Sequence, residues 1–374
     1  MNALRYLLLE FLAVTLLCGC SIDISQNGGL APPQQLMTSN TARPPYSSAA
    51  NLDNSRTAQP KSIAVTWGSL HLNGKLVYLA GFTEGVYLLV DVQLLDLSTG
   101  EVKTIFQSPV DAWIDAATVS PDGKSLLVSY APPVGAEFGG RDSLYLLPLD
   151  GSSTSPQLLF TPESDKDRYF QSTWSPDGRY IYFTNATYGK TVDSTVMKMA
   201  YPNGKMEKLM DQAYWPAISA DGNRLAYVTV DPATGKNRLF AAKDDGTQAQ
   251  EIPFSGNIID APLFLQGDQT ILFSAPPSGQ ALDPNWFEKV LGITLASAHA
   301  AVPSDWWSVP LTGGAATQIT HLRSFALFGS LSPDGQYVAS ISSDALFVMR
   351  PDGTNLTQLV DSIGGIAGTV NWIP

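Results

Sequence analysis

The word Ser-Pro-Asp-Gly stands three times in this chain, at Ser120 to Gly123, Ser175 to Gly178 and Ser332 to Gly335. Weaker copies stand at Ser219-Ala220-Asp221-Gly222, Leu265-Gln266-Gly267-Asp268 and His71-Leu72-Asn73-Gly74. In a type I turn, Ser favours the first position, Pro the second and Gly the fourth. Pro presets φ, Asp bonds its own local backbone, and Gly accepts positive φ. The word is therefore a hairpin connection with a mechanism. Short apolar runs follow it, as in Leu126-Leu127-Val128, Ile181-Tyr182-Phe183, Leu225 to Val228, Ile271-Leu272-Phe273 and Val338 to Ile341. Each reads as a buried strand.

A second turn follows each first one, at Ser98-Thr99-Gly100, Leu149-Asp150-Gly151, Pro202-Asn203-Gly204, Asp244-Asp245-Gly246, Leu311-Thr312-Gly313 and Pro351-Asp352-Gly353. An apolar run precedes each of these, and a polar stretch ending in apolar residues follows. One unit is then strand, turn, strand, loop, strand, Gly turn, strand. Six such units predict an all-β chain, a six-bladed β-propeller of four-stranded antiparallel blades, with seven blades as the alternative. The apolar runs are too short, and lack the 3.6-residue period, for a helical solenoid.

The unit resembles the propeller repeat of the TolB family, the periplasmic proteins of the Tol–Pal system. Trp174-Ser175-Pro176-Asp177-Gly178-Arg179-Tyr180-Ile181-Tyr182-Phe183 and Met349 to Leu359 carry the likeness. It covers roughly residues 63 to 374, which leaves no room for the amino-terminal domain that TolB carries before its propeller. The layout is not that of a TolB orthologue. A propeller of this kind implies a fold and not a function.

Three regions are expected: residues 1–20 as a signal peptide, 21–62 as a flexible tether, and 63–374 as the propeller. Arg5 gives the positive start, and Tyr6 to Leu17 is too short to span a bilayer, for which about 20 apolar residues are needed. The end, Leu17-Cys18-Gly19-Cys20, resembles the bacterial lipobox, which implies cleavage before Cys20 and acylation of its thiol. Glu10 is unfavourable inside such an apolar stretch. Cys18 and Cys20 are the only cysteines, so the mature domain has no disulfide and no cysteine metal site. Ser21 to Ser62 is rich in Ser, Asn, Gln, Pro, Thr and Ala and cannot bury enough apolar surface to order itself. A chain of that length reaches roughly 35 Å. Blade starts are placed near Ile63, Trp113, Tyr169, Tyr214, Ile258 and Phe325. The last residues, Gly368 to Pro374, match the strand ahead of the Ser-Pro-Asp-Gly turn, so they should close the ring by completing a blade with residues 63–80.

Candidate chemistry is sparse. Lys and Arg number 22 against 34 Asp and Glu, for a net charge of −12. That argues against nucleic acid and against electrostatic docking on anionic lipid. The three histidines, His71, His299 and His321, have no metal-ligand spacing. Neither a metal nor a cofactor is expected. The turn carboxylates, among them Asp122, Asp177, Asp221, Asp334 and Asp352, should serve their own hairpins. Trp306, Trp307, Trp174 and Trp372 occupy repeat positions and should be core. One segment escapes the repeat, about Pro276 to Ser304. There Asp283-Pro284 reads as a helix start and Gly292 as a stop, with Trp286, Phe287, Val290 and Leu291 on one face. Trp286 and Phe287 are the candidate partner contacts, unless the helix folds back as a lid. No residue is assigned a catalytic role. The expected function is a monomeric, lipid-anchored protein-interaction scaffold at the cell envelope, held to the membrane through Cys20 and engaging a protein partner. Binding of carbohydrate or another envelope polymer in the central channel, with lyase or hydrolase activity, is the alternative.

Overall fold

A computed structural model describes residues 61–374 apart from 278–292, 296–302, 362–366 and several stretches of one to four residues; ahead of residue 61 it describes only Ile22–Ile24. Six antiparallel sheets follow one another along the chain. Blades 2 to 6 begin with Trp113–Val119, Asp167–Trp174, Ala213–Ile218, Asp260–Phe264 and Phe328–Leu331, and each adds its next three strands outward in chain order. These first strands lie against one another around a closed ring.

Blade 1 closes that ring. Its innermost strand is Ala367–Ile373, paired antiparallel with Lys75–Glu84, and Tyr87–Asp96, Glu101–Gln107 and the short Lys61–Ser62 lie outside. The expected pairing of the terminal strand is thus present, and there are six blades. Side chains lock the seam. Thr369 Oγ1 accepts the Ala117 N–H at 2.7 Å and donates to the Ala117 carbonyl at 2.6 Å, and Asn371 Nδ2 donates to that same carbonyl at 2.7 Å. Trp372 Nε1 donates to the Asn73 carbonyl at 3.0 Å. Gly74, at φ 87°, is obligatory there, because a Cβ would collide with the Ile373 carbonyl.

Six buried clusters lie at the six junctions between neighbouring blades. Each blade therefore packs both its faces, which is why its second strand reads as a continuous apolar run and not an alternating one. In blade 2, Leu126 and Val128 pack toward blade 1 while Leu127 packs toward blade 3. Trp306 and Trp307 are core, as is Trp372.

The turns explain the repeated word. In four blades the Ser hydroxyl (Ser120, Ser175, Ser219, Ser332) donates to its Asp at 2.6 Å. The same Asp oxygen accepts the backbone N–H two residues on. The Ser oxygen accepts the N–H five residues on. Blade 5 lacks the Ser, and its Asp268 instead reaches across to accept the N–H groups of Ala220 and Asp221 at 2.9 and 3.0 Å.

Strand direction sorts the connections onto two faces. The repeated Ser-Pro-Asp-Gly and Gly turns lie on one, the turn face. The opposite, loop face carries every connection between second and third strands, including 132–142 and 276–304. In the second of these, Ile293–Leu295 pairs antiparallel with Ile22–Ile24. The expected helix at 283–291 lies outside the described residues, as do Cys20, Trp286 and Phe287.

Candidate functional site

Four of the first strands carry one extra residue near the same level, and blade 1 carries it in its terminal strand. Such bulges re-aim side chains. Gln171, Trp215 and Ala261 take positive φ there, at 51°, 56° and 46°. Gln171 Oε1 accepts the Trp215 N–H at 3.0 Å and the Thr184 hydroxyl at 2.8 Å, which ties blade 3 to blade 4. The Trp215 ring meets Phe328 of blade 6 with centroids 5.3 Å apart, across the small Ala261 of blade 5. Apolar side chains thus meet between the inner strands of blades 4 and 6.

In blade 2 the extra residue is Asp115, the one charge in the strand Trp-Ile-Asp-Ala-Ala-Thr-Val. Its carboxylate accepts the Gln171 N–H of blade 3. Asp142 stands beside it, and the Arg168 Nε of blade 3 is 3.8 Å from Asp142 Oδ2. Burial pushes the Asp115 carboxyl up to about 8, the Asp142 charge adds to this, and the Gln171 N–H opposes it. Burial raises Asp142 to about 7, partly offset by the Arg168 guanidinium. Two carboxyls that change charge near neutrality can bind a cation or trade a proton.

The surrounding polar atoms belong to the same cleft. Ser129 follows Leu127 by two on the face that packs against blade 3. Asn185 follows Ile181 and Phe183 by the same alternation, on the face toward blade 2. Ser129 Oγ, Asn185 Oδ1 and Asp142 Oδ1 have no hydrogen-bond partner among the described residues. At the rim Arg141 pairs with Asp165 and donates to the Pro162 carbonyl at 3.1 Å. Val134, in the adjoining loop, is 66% exposed.

The residues singled out from sequence fall elsewhere. The turn aspartates are spent on their hairpins, and Ser175, with Arg179 helping, holds Asp177 down to about 2. His71, at φ 49°, ends a single helical turn over Gly68–Leu70. His321 Nδ1 is 3.1 Å from Gln318 Nε2 on the loop face, and His299 lies outside the described residues. Among the described residues no group of three or more His, Cys, Asp or Glu is set to hold a metal. Sequence reasoning missed Asp115 and Asp142. The available signal was a carboxylate in the middle of an otherwise apolar first strand.

No family model matches the chain. An uncharacterized protein of Agrobacterium fabrum is 23% identical over 309 residues, covering 76% of this chain and 88% of its own length. Among solved structures, TolB from Acinetobacter baumannii is similar with a TM-score of 0.60 and 16% identity over 80% of this chain and 67% of that one. A protein of Agrobacterium tumefaciens assigned as TolB gives a TM-score of 0.57 and 18% identity over 79% of this chain and 99% of that one. The fold is that of the TolB-like six-bladed propellers.

Proposed function

We propose that this chain is a lipid-anchored, extracytoplasmic propeller that serves as a protein-interaction scaffold at the bacterial cell envelope and performs no catalysis of its own. The observation that carries the reading is the division between the two faces. On the turn face, the Ser and Asp side chains of four hairpins are consumed by their own turns. The loop face gathers long connections, among them residues 132–142 with the exposed Val134. Long loops on a rigid frame are where recognition resides. The lipobox-like end at Cys20 supports the location, and the likeness to TolB propellers supports it by analogy of fold alone.

Crosslinking in intact envelopes followed by pull-down tests the scaffold. Capture of a defined protein, lost in a Trp286→Ala, Phe287→Ala double variant of unchanged thermal stability, is the expected result. Capture intact with stability sharply reduced would show that the segment is a lid. The Asp115–Asp142 pair keeps one second reading in play, an envelope-polymer hydrolase or lyase using the pair as acid and base. Turnover of envelope polysaccharide by the purified protein, abolished by Asp115→Asn, would decide for it.

A further inference from the structure

We propose that the cleft between blades 2 and 3 binds a cationic group rich in N–H donors, a guanidinium or an ammonium, seated between Asp115 and Asp142. The inference is independent of the scaffold reading. Three observations converge on it. First, the cleft holds buried polar atoms with no partner among the described residues. They are Asp142 Oδ1, Asn185 Oδ1 and Ser129 Oγ, and Ser129 is fully buried. Buried acceptors are ordinarily satisfied. Second, once both carboxyls are ionised the charges do not balance. Two carboxyls face one guanidinium, and at 3.8 Å the contact between Arg168 and Asp142 is too long for a hydrogen bond. The other charged groups nearby are engaged elsewhere: Arg141 with Asp165, and Asp167 with the Thr187 hydroxyl at 2.7 Å. The Tyr169 hydroxyl is turned to Met206 Sδ at 3.7 Å. Third, the cleft reaches solvent, since the Arg168 and Asp142 side chains are 25% and 14% exposed.

The chemistry selects among ligands. An anion is repelled by Asp142 and, once it ionises, by Asp115. A neutral polyol supplies hydrogen bonds and leaves the charge deficit. A divalent metal ion would be opposed by Arg168 at its edge. A guanidinium supplies up to five N–H donors in a planar fork and a delocalised positive charge, and an ammonium supplies three. Asp115 is largely protonated at neutral pH, so the cation displaces a proton and binding tightens as pH rises from 6 to 8, by about tenfold per pH unit where one proton is released.

The test is a titration of the full chain, with the aspartate carboxyls labelled with carbon-13, using methylguanidinium, its neutral analogue urea, calcium and the blocked peptide N-acetyl-Ala-Arg-Ala-amide. Methylguanidinium should move the Asp115 and Asp142 carboxyl resonances and lower their titration midpoints, and urea should move neither. Asp115→Asn and Ser129→Ala should each weaken binding about tenfold. Asn185→Leu gives an independent check should either variant fold poorly. Binding of the peptide at least tenfold tighter than methylguanidinium assigns the site to a basic side chain of a protein partner. Equal binding assigns it to a free small cation. Resonances that respond equally to urea, respond to calcium and not to methylguanidinium, or do not move at all overturn the proposal.

Discussion

Replacing Asp115 with Asn should remove about half of the alkaline loss of stability that the two buried carboxyls cause, leaving the share due to Asp142. The Asp115 carboxyl is raised from its ordinary 3.8 to about 8 by burial. Between those values the folded chain holds a proton that the unfolded chain has released. The unfolded state then binds fewer protons, so stability falls as pH rises through this window and is level above it. Each pH unit costs about 1.4 kcal/mol at full effect, so the span from pH 4 to pH 8 amounts to about 5 kcal/mol. Asn has the shape of the protonated acid and no charge to desolvate. The variant should match the parent near pH 4 and exceed it by several kcal/mol at pH 9, about 5 at the upper bound. Urea unfolding at pH 5, 7 and 9, with the denaturant slope held common, measures the difference. The turn aspartates work in the opposite sense. The hydroxyl of each neighbouring Ser lowers Asp122, Asp177, Asp221 and Asp334, so their stabilisation is present above their unfolded values and lost in acid. Stability should therefore peak on the acid side of neutrality. Parallel stability curves for parent and variant from pH 5 to 9 would refute the reasoning, because they would mean that Asp115 is solvated like a surface carboxylate.

Other outcomes follow from particular contacts. Cys20→Ala should release the chain from the membrane fraction and abolish lipid labelling, and retention of both would refute the anchor. Ser175→Ala removes a hydroxyl that serves both Asp177 and the Tyr180 N–H; it should cost about 1–2 kcal/mol in urea unfolding, and a cost near zero would show that the turn holds itself. Deleting residues 367–374 strips blade 1 of its inner strand and should abolish cooperative unfolding, whereas a two-state transition of unchanged midpoint would show that the seam contributes nothing.

The fold was legible because the repeat places the same turn chemistry at the same point of each blade. Ser, Asp and Gly are each required by a bond or a φ value that local sequence dictates, so the word itself reports the hairpin. Even ring closure could be read, from the likeness of the residues around Trp372 to those around Trp174. Blade 5 shows the limit. Its Leu265-Gln266-Gly267-Asp268 reads as a decayed copy, while Asp268 in fact reaches the turn of blade 4. The cleft was not legible for the same reason. Asp115 lies on the first strand of one blade and Asp142 in the loop before its third strand, with Arg168 and Asn185 on two strands of the next. Their approach is fixed by how blades stack and by an extra residue in the strand, neither of which has a local sequence code. Asp115 could have been noticed as a charge among apolar neighbours, but its partners could not have been named.

The central claim is that the loop face, and not the turn face, engages a protein at the envelope. Photo-crosslinking amino acids placed at Val134 and His321 report on the first, and at Leu356 and Arg179 on the second. The account predicts a discrete crosslinked protein from Val134 or His321 in living cells and none from Leu356 or Arg179. Crosslinks confined to the turn face, or no protein adduct from either face, would contradict it.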